Sequence, residues 1–336
     1  MNKKNYIIAE IGLNHNGSIE LCKQMFREAK LAGCSAVKLQ SLDWNSTNIE
    51  KNLDVKIELS SNKKTHLASY LKEITLTNND HKILKNYALK LGIEIISTSF
   101  NNKYVDIIKK LKFNRIKIAS QDINHYELIR KAAKSNLPII ISTGMADLKE
   151  IIKAVEIIEE HNNKKITILH CVSNYPTKAA DLNLNRIQTL KKIFPHHIIG
   201  FSDHTLGCDA AIIAKSLGAE AFEKHFTFDK QAEGFDHAMS LNKLEMKSYC
   251  KKISETTVSL GSYDYSKIAD KNMRKNMRRS IVTKKNIKKG EKISLNNIDF
   301  KRPHGGISPS EVDRIIGRVT NKNLKRDCLL RLSDLK

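Results

Sequence analysis

No CxxC pair occurs in this chain. Its six cysteines, at 22, 34, 171, 208, 250 and 328, are scattered, which argues against both a thiolate zinc site and a disulfide framework and leaves them as reduced thiols. Long apolar runs are also missing. Residues 1–12 carry two lysines and only a short apolar stretch, far below a signal h-region or a membrane span, so a cytoplasmic protein without a membrane partner is expected. Acidic residues are few: 36 Asp+Glu stand against 58 Lys+Arg, for a formal charge of +22. The excess is concentrated in residues 271–336, with 19 Lys+Arg against 6 Asp+Glu, yet that stretch holds a single aromatic, Phe300. Without stacking aromatics or a known motif, a nucleic-acid partner is not expected. The charge reads as a Lys- and Asn-rich bias over solvated faces, with a positive field that attracts a small polyanion.

What is present is an alternation. Apolar runs bounded by turn signals predict strands at Tyr6–Ala9, Ala36–Leu39, Ile93–Ile96, Arg115–Ile118, Pro138–Ile141, Ile166–Leu169, His197–Gly200 and Ala219–Phe222. Amphipathic stretches such as Ser18–Leu31, Asn79–Leu91, Asp147–Glu160 and Asn183–Ile193 lie between them, several opened by Ser, Asn or Asp. Eight such units predict an α/β protein with a closed (β/α)8 barrel. An open doubly wound sheet would show a glycine-rich phosphate fingerprint after its first strand, and IGLNHNG at residues 11–17 is not one. The barrel is expected over residues 1–262, a polar, basic linker over 263–279 and a small β-rich module over 280–336. In that module NIKKGEKI (286–293) returns 37 positions later as NLKRDCLL (323–330), which suggests pseudo-twofold symmetry. Residues 45–77, long, polar and without clear periodicity, read as a lid or binding loop.

In such a barrel chemistry sits at the C-terminal ends of the strands. Those ends offer Glu10, Lys38, Gln40, Ser97, Thr98, Lys117, Ser120, Asp122, Ser142, Thr143, His170, Ser173, Tyr175, Ser202, Asp203, His204, Glu223 and His225. A purely structural barrel has no need of two lysines, a carboxylate and three histidines pointing into its mouth. A lone histidine at a strand end is more often a hydrogen-bonded structural residue. His204 and His225 on adjacent strands are instead a divalent-metal pair, with positions left for water and substrate and with Mn, Mg, Co, Fe or Zn all compatible. Lys38 and Lys117 follow strand alternation into the barrel, where a buried ammonium needs an anion. They meet either a substrate phosphate or carboxylate, or one of them forms a Schiff base. The hydroxyls of Ser120, Ser142 and Ser202 favour the anion. Glu10, the only carboxylate at the end of the first strand, suits acid/base work, its alternative being to orient a His or Lys.

Ten segments in order carry a resemblance: AEIGLNHNGS (9–18), VKLQ (37–40), ISTSF (96–100), IKIASQD (116–122), ISTGM (141–145), LHCVSNYP (169–176), GFSDHT (200–205), EKHF (223–226), GFDHAMS (234–240) and KRP (301–303). Together the chain resembles the N-acetylneuraminate (sialic acid) synthase family, a (β/α)8 barrel followed by an antifreeze-like (SAF) domain. The resemblance implies condensation of phosphoenolpyruvate with the open-chain aldehyde of an N-acetylated hexosamine such as N-acetylmannosamine, giving a nine-carbon 2-keto acid and phosphate. It implies manganese, with magnesium or cobalt as alternatives, on His204 and His225. Phosphoenolpyruvate would lie against Lys38, Lys117, Ser120, Ser142, Ser173, Tyr175 and Ser202. Glu10 would move protons, and Asp122, Asp236 and Arg302 would meet the sugar, Arg302 from the partner of a domain-exchanged homodimer. Ser173, Gln121-Asp122 and Phe235 depart from the family pattern and put the sugar in doubt. Legionaminate or pseudaminate synthesis from a di-N-acetylated deoxyhexose, or use of a phosphorylated hexosamine, is the first alternative. A Schiff-base aldolase and a non-catalytic sugar-binding barrel are more distant ones.

Overall fold

The computed structural model describes residues 5–58, 64–161, 163, 165–266 and 270–336. The chain divides into two units, Met1–Gly261 and Ser262–Lys336. In the first, eight parallel strands close into a barrel: β1 (Tyr6–Gly12), β2 (Ala36–Ser41), β3 (Glu94–Ser99), β4 (Arg115–Ile118), β5 (Ile139–Ser142), β6 (Ile166–Cys171), β7 (Ile198–Asp203) and β8 (Ala221–His225), with β8 pairing back onto β1. Eight helices alternate with them: α1 (Ile19–Ala32), α2 (Asn78–Leu91), α3 (Asn102–Lys110), α4 (Tyr126–Ala133), α5 (Leu148–Glu159), α6 (Arg186–Ile193), α7 (Asp209–Ser216) and α8 (Lys243–Leu260). Their ends follow from sequence. Ser18 caps α1, and Thr77/Asp80, Asp147/Glu150 and Asn242/Glu245 close capping boxes on α2, α5 and α8.

The strand period of two sorts the barrel interior into layers. At the bottom Arg115 donates from Nε to the Tyr6 hydroxyl at 2.9 Å and pairs with Glu94 at 3.3 Å. Above it Ile8, Ala36, Ile96, Ile140, Leu169 and Ala221 form a cluster of their own, apart from the larger core between strands and helices. Two residues further along each strand stand Glu10, Lys38, Thr98, Ser142, Cys171 and Glu223, joined by Lys117 and Ser202, and all of these line one cavity. The apolar layer is the dry floor on which a polar layer rests. A bulge between Glu10 and Gly12 shifts the register of β1 against β2, and Gly12 takes a positive φ of 54° there.

Three readings are corrected here. Residues 45–77 are not a bare loop: they carry helices Glu50–Leu53 and Leu67–Ile74 and a hairpin of Lys56–Glu58 with Lys64–His66, around Leu53, Tyr70, Leu71 and Ile74. Elements of three to eight residues are too short to show a period; residues 59–63 lie outside the described residues. The segment read as linker contains a helix, Lys271–Met277, capped by Asp270, whose polarity hides it because no face of it is buried. His170, read as pointing into the mouth, faces away from it: it sits between inward Leu169 and Cys171, and its Nε2 donates to the Leu182 carbonyl at 2.7 Å.

In the second unit β9 (Ser280–Thr283) pairs with β10 (Ile298–Lys301), and the 37-residue repeat is realised bond by bond. Ile287 and Leu324 exchange both backbone bonds at 2.8 Å. Lys289 N donates to Asn323 Oδ1 at 2.7 Å and Arg326 N to Asn286 Oδ1 at 2.8 Å. Thr283 Oγ1 donates to the Lys325 carbonyl at 2.5 Å and Thr320 Oγ1 to that of Lys288 at 2.8 Å. Each bond has a mate at an offset of 37. The symmetry reaches further than the sequence likeness, since Ser294/Asn297 and Arg331/Asp334 repeat the same side-chain cap. The core is paired likewise, as Ile287/Leu324, Ile293/Leu330 and Ile298/Leu335.

Candidate active site

The polar layer forms the floor of a cavity of about 240 Å³. At its centre is Lys38, whose Nζ lies 2.5 Å from Glu10 Oε2, 2.9 Å from Thr98 Oγ1, to which it donates, and 3.6 Å from Glu223 Oε2. All of them are buried, Glu10 to 1% exposure. Ser202 donates to Glu223 Oε1 at 2.9 Å, and Gln40 donates to Glu10 Oε1 at 3.3 Å. The two carboxylates experience different surroundings. Burial pushes Glu10 up to about 7, with Lys38 opposing and Glu223 reinforcing. Glu223 feels burial as strongly, but Lys38 and Lys117 together outweigh it and hold the group down at about 2. Glu10 can therefore exchange a proton near neutrality while Glu223 stays a fixed anion. Lys38 is kept charged, the two carboxylates overcoming the effect of burial. Lys117 is lowered by burial; it donates to the Ile118 carbonyl at 3.0 Å and has no ion pair among the described residues.

Hydroxyls surround the same space. Ser142 Oγ is buried without a hydrogen-bond partner among the described residues. Ser120 Oγ accepts from Gly144 N at 3.0 Å, and a Cβ on Gly144 would lie 2.3 Å from Ser173 Oγ and 2.8 Å from Ser120 Oγ. Two ammoniums, four serine hydroxyls and a glycine that lets them converge are the donor set of a small, multiply charged anion.

The two histidines stand beside this floor, their ring centroids 5.6 Å apart. His204 Nδ1 donates to the Val172 carbonyl at 2.8 Å, which leaves Nε2 as the lone-pair nitrogen. Its ring lies 4.2 Å, centroid to centroid, from that of Tyr175. His225 Nδ1 is buried without a hydrogen bond among the described residues, 3.6 Å from Asp236 Oδ2. An oriented imidazole, a second with an unpartnered nitrogen and a nearby carboxylate fit a divalent cation. Among the described residues no group of three or more His, Cys, Asp or Glu is arranged to hold one, so water and substrate would complete the shell.

The structure thus brings Glu10, Lys38, Lys117, Ser120, Ser142, Ser173, Tyr175, Ser202, His204 and His225 onto one cavity. It does not put Asp122 or Asp236 on that wall. Asp122 lies in a 3-10 turn, with Oδ2 buried and without a partner among the described residues, and Asp236 Oδ2 lies 3.6 Å from His225 Nδ1. Arg302 belongs to the second unit, where it is exposed and donates to Met277 Sδ at 3.3 Å. Glu223, Thr98 and Gln40 were visible as strand-end residues but had no role; Cys171, Phe100 and Met145 also line the cavity. Glu223 was recoverable from alternation alone, two residues before His225.

Fold and site together define a barrel enzyme that works on an anion at its C-terminal mouth. The chain belongs to the NeuB family: residues 25–265 match that family and residues 278–336 match the SAF domain. It is 38% identical to the N,N'-diacetyllegionaminic acid synthase of Campylobacter jejuni over 98% of this chain and 99% of that one. It is 30% identical to the N-acetylneuraminate-9-phosphate synthase of Drosophila melanogaster over 96% and 93%. A crystal structure of the N-acetylneuraminic acid synthetase of Leptospira borgpetersenii superimposes with a TM-score of 0.73 at 31% identity, over 80% of this chain and 89% of that one. The protein is therefore a phosphoenolpyruvate-dependent transferase that makes a nonulosonic acid from an amino sugar. Among the described residues no helix is long and apolar enough to cross a membrane.

Gly144→Ala should leave the fold intact and displace the Ser120 and Ser173 hydroxyls. Steady-state kinetics should show the KM for phosphoenolpyruvate raised by about 10- to 100-fold with a smaller change for the sugar; an unchanged KM would remove these hydroxyls from the anion site.

Proposed function

We propose that the chain condenses phosphoenolpyruvate with the open-chain aldehyde of a di-N-acetylated deoxyhexose, a legionaminate-type synthase. This displaces N-acetylmannosamine, expected first from the sequence. One observation carries the choice: both lysines of the cavity sit on its floor, while its other walls include Phe100, Met145 and Tyr175 and, among the described residues, no further lysine or arginine. Once phosphoenolpyruvate occupies the lysines, the described lining of this cavity offers no further ammonium or guanidinium to a sugar phosphate, and an uncharged acceptor with apolar substituents fits better. The 38% likeness to a legionaminic acid synthase, against 30% to a 9-phosphate synthase, points the same way.

Lys38, Lys117, Ser120, Ser142, Ser173, Tyr175 and Ser202 would hold phosphoenolpyruvate with its C3 toward the aldehyde carbon. Asp122 and Asp236 would take sugar hydroxyls. On the resemblance alone, Arg302 is assigned to the sugar of a partner chain in a tail-exchanged homodimer, and the reaction to the cytoplasm. His204 and His225 would hold a divalent metal, manganese by preference, which when bound supplies Lewis acidity at the aldehyde oxygen. As the C3–C1 bond forms, positive charge develops at C2 of phosphoenolpyruvate. Glu10, as carboxylate, takes a proton of the water that adds there and delivers it to the alkoxide left on the former aldehyde carbon, and the tetrahedral adduct then breaks its C2–O bond to phosphate, the proton of its new hydroxyl leaving with the phosphate as the ketone forms. Lys38 and Glu223 fix Glu10 while this happens. Lys117, lowered by burial, also has the property that a Schiff-base lysine needs. Inactivation by borohydride in the presence of the keto acid would revive that reading.

Phosphate release with a panel of acceptors tests the proposal. The di-N-acetylated trideoxyhexose should be used best, N-acetylmannosamine poorly and its 6-phosphate not at all, with activity lost on exhaustive chelation and restored by manganese. Preference for the 6-phosphate would contradict the reading of the walls.

Glu10→Gln should retain phosphoenolpyruvate binding and lower kcat by about 10²- to 10⁴-fold. Because the carboxylate is the working form and its pKa is held near 7, wild-type kcat/KM should fall as the pH drops through about 7, and the variant should lack that limb. A limb retained in Glu10→Gln would assign the proton transfer elsewhere.

A further inference from the structure

Beside the active cavity lies a second pocket, of about 480 Å³, between the outer ends of β5 and β6 and helices α5 and α6. Leu148, Ile151 and Leu190 give it apolar walls, as in most small-molecule sites. Two of its polar groups keep capacity for a ligand, Arg186 and His170. Arg186 opens α6, a helix whose N-cap residue Asn185 makes no side-chain bond and whose first turn holds no acid. The first backbone N–H groups of this helix are already taken, Arg186 N by the Asn183 carbonyl at 2.9 Å and Ile187 N by that of Leu184 at 3.0 Å, so the positive charge offered to the pocket is that of the exposed Arg186 guanidinium, which among the described residues has neither an ion pair nor a side-chain hydrogen bond. His170 is 2% exposed and lines the pocket. Its Nε2 is committed to the Leu182 carbonyl, so the neutral ring keeps Nδ1 as an acceptor, and that atom has no partner among the described residues. Asp147 also lines the pocket but is turned to the start of α5, accepting from Glu150 N at 2.9 Å; with this carboxylate close by, the pocket suits a single negative charge better than a phosphate dianion.

We propose that this pocket is a second ligand site, for a small carboxylate with an apolar body, and that its occupancy is felt in the active cavity. The carboxylate lies on Arg186, a hydroxyl or amide donor of the ligand meets His170, and the apolar part fills the space against Ile151 and Leu190. The coupling is short. Ser142 faces the active cavity, Thr143 the second pocket, and the half-exposed Met145 belongs to the walls of both. A ligand in the second pocket limits where Met145 can lie and so reshapes the wall that the acceptor touches.

The probe is 4-phenylbutyrate, titrated into the full chain by calorimetry with and without saturating phosphoenolpyruvate. Binding should persist in its presence and weaken about tenfold or more for the neutral 4-phenylbutyramide and for Arg186→Gln. It should also be lost in Leu148→Trp, which fills the pocket from its rim. Saturating probe should shift the KM for the acceptor at least about twofold in wild type and not in Arg186→Gln. Displacement by phosphoenolpyruvate, equal binding of the amide, equal affinity in Arg186→Gln, or no binding at all would overturn the site. Binding without any change in KM would overturn the coupling through Met145.

Discussion

Everything in the active cavity depends on Lys38 being held between two carboxylates in a water-poor barrel. An unpaired buried ammonium would give up its proton or cost several kcal/mol; Glu10 at 2.5 Å and Glu223 at 3.6 Å keep it charged. The same contacts divide the labour of the acids. Glu223, facing Lys38 and Lys117, is a permanent anion, and Glu10, for which burial and the Glu223 charge outweigh Lys38, can gain or lose a proton. A further anion can enter because the lysines carry charge that two glutamates, one of them readily protonated, do not fully neutralise. Lys117, without an ion pair among the described residues, and Ser142, without a hydrogen bond, are the groups such an anion would satisfy.

The fold makes this arrangement possible through register. On six of the strands the cavity residue follows an inward apolar one by two positions, so Ile8 leads to Glu10, Ala36 to Lys38 and Ala221 to Glu223. The apolar layer seals the barrel from below, which leaves the mouth as the way in. Pairing Glu223 with Ser202, and Glu10 with Lys38 and His225, across neighbouring strands sets which side chains meet.

Much of this was legible beforehand, for a physical reason. Eight apolar runs in alternation with capped helices define the barrel, and all eight strands occur at the places read. Their ends were drawn two or three residues short at β1, β2, β3, β6, β7 and β8, because apolarity stops where the functional layer starts. That error had consequences. Ending β6 at Leu169 lost the alternation that turns His170 outward and Cys171 inward, and Glu223, legible only as a strand-end residue, did not show itself as the partner of Ser202 and Lys38. The excursion at residues 45–77 was opaque because its elements are too short for periodicity. In the tail the repeat was visible at 286–293 and 323–330, but its extension through Thr283/Thr320 and Asn297/Asp334 rests on isolated side-chain bonds to the backbone at matching positions, which a run of similar residues does not reveal. The anion site, the acid and the metal pair were proposed from residue types; which acid would titrate required distances.

The most direct test of the account is the affinity for phosphoenolpyruvate, measured by titration calorimetry in wild type, Lys38→Met, Lys117→Met and the double variant. Each lysine is taken to grip the same anion, so each single change should weaken binding by about 10- to 100-fold, equivalent to about 1.4 to 2.8 kcal/mol, and the double change should cost measurably less than the sum of the two. Affinity within twofold of wild type in both single variants would show that the lysines only neutralise Glu10 and Glu223, and would contradict the anion site on which the proposed reaction depends.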